Sequence, residues 1–191
     1  MSNHAERRQE LFAYFEECVK KHFGFLNDMS CSIDKNTMGL IIRYASDNTE
    51  IEFCYERTSF EIYSTISLKS GNMRCSVDEI IKDDVKRKFF FATNENMVDN
   101  AVSELKTLIT HYCKPFLNGD INAFENVLKA REEVVKNYDL RLIEEKAVKA
   151  WDSGNYDEVV VLYQSIKGDL TPVQEKRLSL SMKKIADNMQ S

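Results

Sequence analysis

Between Met29 and Leu68 the apolar residues recur every second position, and the breaks between the alternating runs are too short to hold a helix. Met38, Leu40, Ile42 and Tyr44 alternate with Gly39, Ile41 and Arg43; Ile51, Phe53 and Tyr55 with Glu50, Glu52, Cys54 and Glu56; Phe60, Ile62, Ile66 and Leu68 with Glu61, Tyr63, Thr65 and Ser67. The runs are separated by Asp34-Lys35-Asn36-Thr37, Ala45-Ser46-Asp47-Asn48 and Arg57-Thr58-Ser59, whose side chains favour turns. Connections this short join only antiparallel neighbours. The stretch is therefore expected to be a meander of three or four strands, one face packed on helices and the other open to water or to a partner.

On either side the period returns to that of a helix. Leu11, Phe12, Phe15, Val19, His22 and Phe23 predict a first helix over about Glu6–Phe23, with Gly24 as its C-cap. After Gly71, Ser76-Val77-Asp78-Glu79 has the form of a capping box and predicts a short helix over Val77–Asp84. Phe89-Phe90-Phe91 is either an extra strand or a hydrophobic plug. Val98, Ala101, Val102, Leu105, Leu108, Ile109 and Tyr112 form one stripe of a helix over about Glu95–Cys113, closed by Pro115. Asp120 caps a further helix to about Lys136, and Asn137-Tyr138-Asp139 is expected to lead into another. The fold class is α+β, with an α+β domain over residues 1–117 and a helical subdomain over 118–191. That subdomain is expected either to dock on the sheet or to extend from the last helix.

Composition excludes several classes of function. A net charge of −5 on 191 residues lacks the basic face that phosphate neutralisation requires, so nucleic acid is not the expected ligand. Lys86-Arg87-Lys88, with Lys82, is the densest basic cluster and reads as a solvated helix end. Five cysteines, an odd number without a C-x-x-C pair, point to reduced thiols and a cytoplasmic setting. The first residues lack the apolar core of a secretory signal, and no stretch has the length of a membrane span.

No residue constellation states a reaction, a metal or a cofactor. His4 lies in the terminal segment. His111 and Cys113 stand two positions apart on a helix and point to different sides, so they make no nucleophilic pair. Cys18 and His22, four positions apart, share a face, but two ligands do not complete a zinc site. With Ile51, Phe53 and Tyr55 inward, Glu50, Glu52, Glu56 and Glu61 share the other face of the sheet with Arg43 and Tyr63. These six are the candidate contact residues. Three readings stand: a solvated outer face, a docking surface for a basic protein, and an acid–base site.

The C-terminal run Ala150-Trp151-Asp152-Ser153-Gly154-Asn155-Tyr156-Asp157-Glu158 ends one helix at Gly154 and caps the next with Asn155. Gly154, Tyr156, Val159, Tyr163 and Ile166, with Pro172 and the preceding Ile143 and Ala147, give it a pattern that resembles a single tetratricopeptide repeat. Val159 and Ile166 stand where that family prefers Ala, and one copy is visible. The resemblance implies a helical hairpin and, as an alternative function, a scaffold or adaptor gripping a peptide around Trp151, Tyr156 and Tyr163. The whole organisation resembles small bacterial immunity proteins of polymorphic-toxin systems. That resemblance implies a non-enzymatic, protein-binding role against a cognate basic toxin, without a cofactor.

Overall fold

The computed structural model describes residues 2–36, 39–81 and 90–189. Met38, the cluster Lys82 with Lys86-Arg87-Lys88, Phe89 and the end of the helix expected to reach Asp84 lie outside them. The architecture is α+β, as the change of period predicts: an N-terminal helix, an antiparallel sheet and a helical C-terminal half. Among the described residues no helix is long and apolar enough to cross a membrane.

Helix α1 spans Ser2–His22. Gly24 does not cap it in a left-handed conformation; it opens a 3-10 turn over Gly24–Leu26 that buries Leu26. The strands are β1 Ser30–Lys35, β2 Gly39–Ala45, β3 Thr49–Glu56, β4 Glu61–Leu68, β5 Met73–Ser76 and β6 Phe90–Phe91. They lie in the order β1-β2-β3-β4-β5, all antiparallel, with β6 also on β4. Residues 29–68 hold four of them, as expected, and β5 and β6 beyond that stretch extend the sheet. β5 occupies the stretch after Gly71 read as helix, and Phe90–Phe91 takes the strand alternative.

At Gly39 the backbone of β2 runs so close to the Tyr55 carbonyl that a Cβ would overlap it, which is why this strand starts on glycine. Helix α2, Val77–Ile81, begins as the capping box requires. The Ser76 amide donates to Glu79 Oε2 at 2.8 Å, and the Glu79 amide to Ser76 Oγ at 3.3 Å. Helix α3, Glu95–Tyr112, is capped by Asn94, which accepts from the Met97 amide at 3.0 Å. Pro115 sits in the first turn of the short α4, Lys114–Leu117, rather than serving only as a stop.

Helix α5 runs unbroken over Ile121–Asp152, through the Asn137-Tyr138-Asp139 stretch where a break was expected. Those residues include no Gly or Pro, so nothing forces the backbone out of the helix. Gly154 (φ 74°) makes the following turn, and Asn155 caps α6, Tyr156–Ser165. A 3-10 turn, Lys167–Asp169, leads to α7, Pro172–Met189.

The chain divides into two compact units, 1–129 and 130–191, with α5 contributing to both. The first unit has one core. Phe15 and Val19 of α1, Phe23 just after it, Val98, Val102 and Leu105 of α3, Phe116 and Phe124 pack on Ile42, Ile51, Phe53, Tyr55 and Ile66 of the sheet. Burial of these side chains, each contributing about 1.5–3 kcal/mol, is the main term holding the unit. The second unit has a small core of Ala147, Ala150, Val159 and Tyr163, flanked by Trp151, Ile166, Leu170 and Leu178.

Candidate functional site: the open face of the sheet

Ile51, Phe53 and Tyr55 belong to the core cluster, while Cys54, between them in sequence, does not. Glu50, Glu52, Cys54 and Glu56 therefore point to the other face, as the alternation predicts. Register then sets their neighbours. Arg43 of β2 stands opposite Glu52 of β3, Glu52 opposite Thr65 of β4, and Thr65 opposite Ser76 of β5. In the adjoining row Ile41, Cys54 and Tyr63 face one another.

The first row is an internal ion network. Glu52 is only 6% exposed. Its Oε1 accepts from Arg43 Nε at 2.6 Å; its Oε2 accepts from Arg74 Nη2 and from Thr65 Oγ1 at 3.2 Å. Arg74 also donates to Thr65 Oγ1, and Arg43 Nη1 lies 3.8 Å from Asp34 Oδ2. Asp34, Arg43, Glu52 and Arg74 thus cancel in charge along the middle of the face. Both oxygens of this deeply placed carboxylate are paired, as the cost of burying a charge requires.

The other candidate acids sit around that network. Glu50 and Glu61 are half-buried. Glu56 is held by its own neighbours: Oε1 accepts from the Tyr63 hydroxyl at 3.2 Å and Oε2 from Ser59 Oγ at 2.9 Å. Burial raises the Tyr63 hydroxyl well above the usual phenol range, with Cys54 and Glu56 adding to the shift. Burial likewise pushes the Cys54 thiol up to about 11. Neither is an activated nucleophile near neutral pH.

A cavity of about 160 Å³ lies at the sheet edge, its lining including Glu61, Tyr63, Ile62, Phe90 and Leu105. Arg43 and Glu52 do not line it, so the six candidates are not drawn into one pocket. Among the described residues, no group of three or more His, Cys, Asp or Glu could hold a metal ion.

Two polar clusters not assembled by sequence reasoning appear elsewhere. On the helical side of the first unit, Asp99 of α3 meets Cys18 and His22 of α1. Its Oδ1 accepts from the Cys18 thiol at 3.6 Å and hydrogen-bonds His22 Nε2 at 3.1 Å, with Lys21 Nζ 3.5 Å away. Burial, and after it the hydrogen bond to Asp99, raise the Cys18 thiol to about 11, so this trio pins two helices rather than arming a nucleophile. Cys113 is buried, with its thiol raised to about 12, while the His111 ring meets the Tyr112 ring edge-on.

In the helical unit Glu144 of α5 accepts from the Tyr163 hydroxyl at 2.9 Å, Gln174 Nε2 at 2.7 Å and Arg177 Nη1 at 2.8 Å. It ties α5, α6 and α7 together. Of the three proposed peptide contacts, Tyr163 is fully buried in that hub. Trp151 and Tyr156 pack edge-to-face on each other with ring centroids 5.5 Å apart. These aromatics serve the hairpin's own packing.

Arg74 escaped the sequence reading because β5 is short and does not alternate clearly. Asp99 and Glu144 escaped it because their partners lie on other helices. Comparison with protein-family models, with curated proteins and with solved structures gives no match for this chain.

Proposed function

We propose that this chain is a non-catalytic protein-binding protein, acting as an immunity protein against a basic toxin, with the outer face of its sheet as the contact surface. The observation that carries this reading is Glu52 held between Arg43 and Arg74. The network stiffens the middle of the face before any partner arrives, so little side-chain ordering is left to oppose binding. Its charges cancel, leaving Glu50, Glu56 and Glu61 to give the face an acidic balance, beside Tyr63 as an aromatic contact. Such a surface favours a basic protein through faster association. Elevated thiol and phenol pKa values, together with candidates spread across a face, favour binding over catalysis. The free, mostly buried cysteines fit action in a reducing bacterial cytoplasm.

The test is co-expression with a basic toxin, beginning with the product of the gene beside its own. Glu50→Lys with Glu61→Lys is expected to slow association at low salt and abolish neutralisation while the fold is retained. An unchanged association rate removes the sheet face as the contact surface.

A further inference from the structure

Strand β4 carries two short strands on one edge, with a gap between them. β5 pairs with it from Thr65 to Leu68 and β6 at Glu61 and Ile62. Among the described residues Tyr63 and Ser64 therefore have no neighbouring strand on that side, whereas β3 pairs along the other edge from Ile62 to Leu68. The gap arises because the chain leaves the sheet after Ser76 as α2 and returns to it at Phe90. The cavity of about 160 Å³ lies at this gap.

Its lining is of two kinds. Ile62, Val77, Phe90 and Leu105 belong to the core of the first unit and give it apolar walls. Glu61 of β4 and Asp78 of α2 bring two carboxylates. Among the described residues the Glu61 carboxylate has no hydrogen-bond or ion-pair partner.

Size and lining together select an occupant. Pockets for whole small molecules usually hold about 300–1,000 Å³, so this one suits a single long side chain. Apolar walls beside carboxylates call for an alkyl stem with a cationic head. Arginine fits better than lysine, because a guanidinium is less strongly hydrated and leaves water at lower cost.

We propose that the cavity is a subsite for one arginine side chain of the basic partner. The stem lies against Ile62, Phe90 and Leu105, and the guanidinium pairs with Glu61, with Asp78 adding to the negative field. The inference rests on the sheet-face reading of function and gives that face an anchor at its edge. A side chain seated in a desolvated pocket contributes more to binding than the exposed contacts around it.

Titration of N-acetyl-arginine amide into the isotope-labelled full chain, followed by amide NMR shifts, tests it. Half-saturation is expected at about 1–10 mM, the range open to so small a ligand, with the shifts concentrated at residues 61–64, 77, 78 and 90. N-acetyl-norleucine amide, which keeps an apolar stem without the charge, is expected to bind about tenfold or more weakly. Glu61→Gln is expected to weaken the arginine probe about fivefold. No saturation by about 50 mM overturns the proposal. So does equal binding of the norleucine probe, which would make the cavity a seat for an apolar side chain, and so does an unchanged Glu61→Gln variant. No partner protein enters the titration. Its failure is therefore distinct from failure of the sheet-face reading, which toxin neutralisation decides.

Discussion

Arg43 and Glu52 face each other across β2 and β3, with Arg43 Nε donating to Glu52 Oε1 at 2.6 Å. The contact changes what an acidic row on a strand means. Glu52 does not present free charge to a partner; it joins β2, through Arg43, to β4 and β5, through Thr65 and Arg74. Glu50 and Glu61 are the acids through which charge reversal tests binding.

Glu52→Ala is therefore expected to act on stability. It removes the Glu52 acceptor from Arg43, Arg74 and the Thr65 hydroxyl, while Arg43 keeps Asp34 at 3.8 Å and Arg74 keeps Thr65 Oγ1. Breaking a fully buried pair costs about 3–5 kcal/mol, but the Arg74 side chain is 56% exposed and water recovers part of that. A loss of about 2 kcal/mol is expected by urea denaturation, with non-additivity in a double-mutant cycle with Arg43→Ala. Additive costs sink the network.

Gly39→Ala places a methyl group against the Tyr55 carbonyl oxygen, a backbone atom rather than the end of a flexible side chain. The expected loss is about 2 kcal/mol or more, with weakened amide protection along β2 and β3. Wild-type stability in a thermal melt would show that the strands separate without cost.

The Asp99 carboxyl is held below its usual pKa, first by the His22 hydrogen bond and further by Lys21 and Cys18. A group depressed in the folded state stabilises above its unfolded pKa and loses that contribution as pH falls through the folded value. The acid limb of stability against pH is expected to flatten in Asp99→Asn. Glu16, lowered mainly by its hydrogen bond with Lys20, acts in the same direction and remains in that variant. An identical acid limb in both proteins would assign acid sensitivity elsewhere.

Tyr163→Phe keeps the ring in the core of the helical unit and removes the hydroxyl that Glu144 accepts at 2.9 Å. The expected cost is about 1 kcal/mol. Hydrogen exchange is expected to report it in residues 130–191, where the Glu144 hub lies. Faster exchange spread equally over the sheet would contradict a local role.

Cys31 is exposed, whereas Cys18, Cys54, Cys75 and Cys113 are buried. Thiols raised by burial to about 11 at Cys18 and Cys54 and about 12 at Cys113 hold little thiolate near neutral pH. Mass spectrometry after brief alkylation at about pH 8 is expected to find Cys31 modified first, and the others only on unfolding. Rapid labelling of Cys54 would mean that the outer face opens.

The alternation of Ile51, Phe53 and Tyr55 with Glu50, Glu52, Cys54 and Glu56 determined both a strand and its two faces, because side-chain direction follows backbone period. Ser76 with Glu79, and Asn155 with Glu158, marked helix starts in sequence, since a cap is made by residues three positions apart. The uninterrupted α5 was less legible: Asn137-Tyr138-Asp139 has turn-like composition, but mildly unfavourable residues do not end a helix that is anchored in a core at each end. What only the tertiary structure decided is pairing. Arg74 reaches Glu52 because β5 joins β4, and Asp99 reaches Cys18 because α3 packs on α1. Local sequence sets the period of a segment and its faces, but a charge is free or cancelled according to its neighbour on the next element. That neighbour is chosen by strand order and helix packing, which no short window of sequence contains.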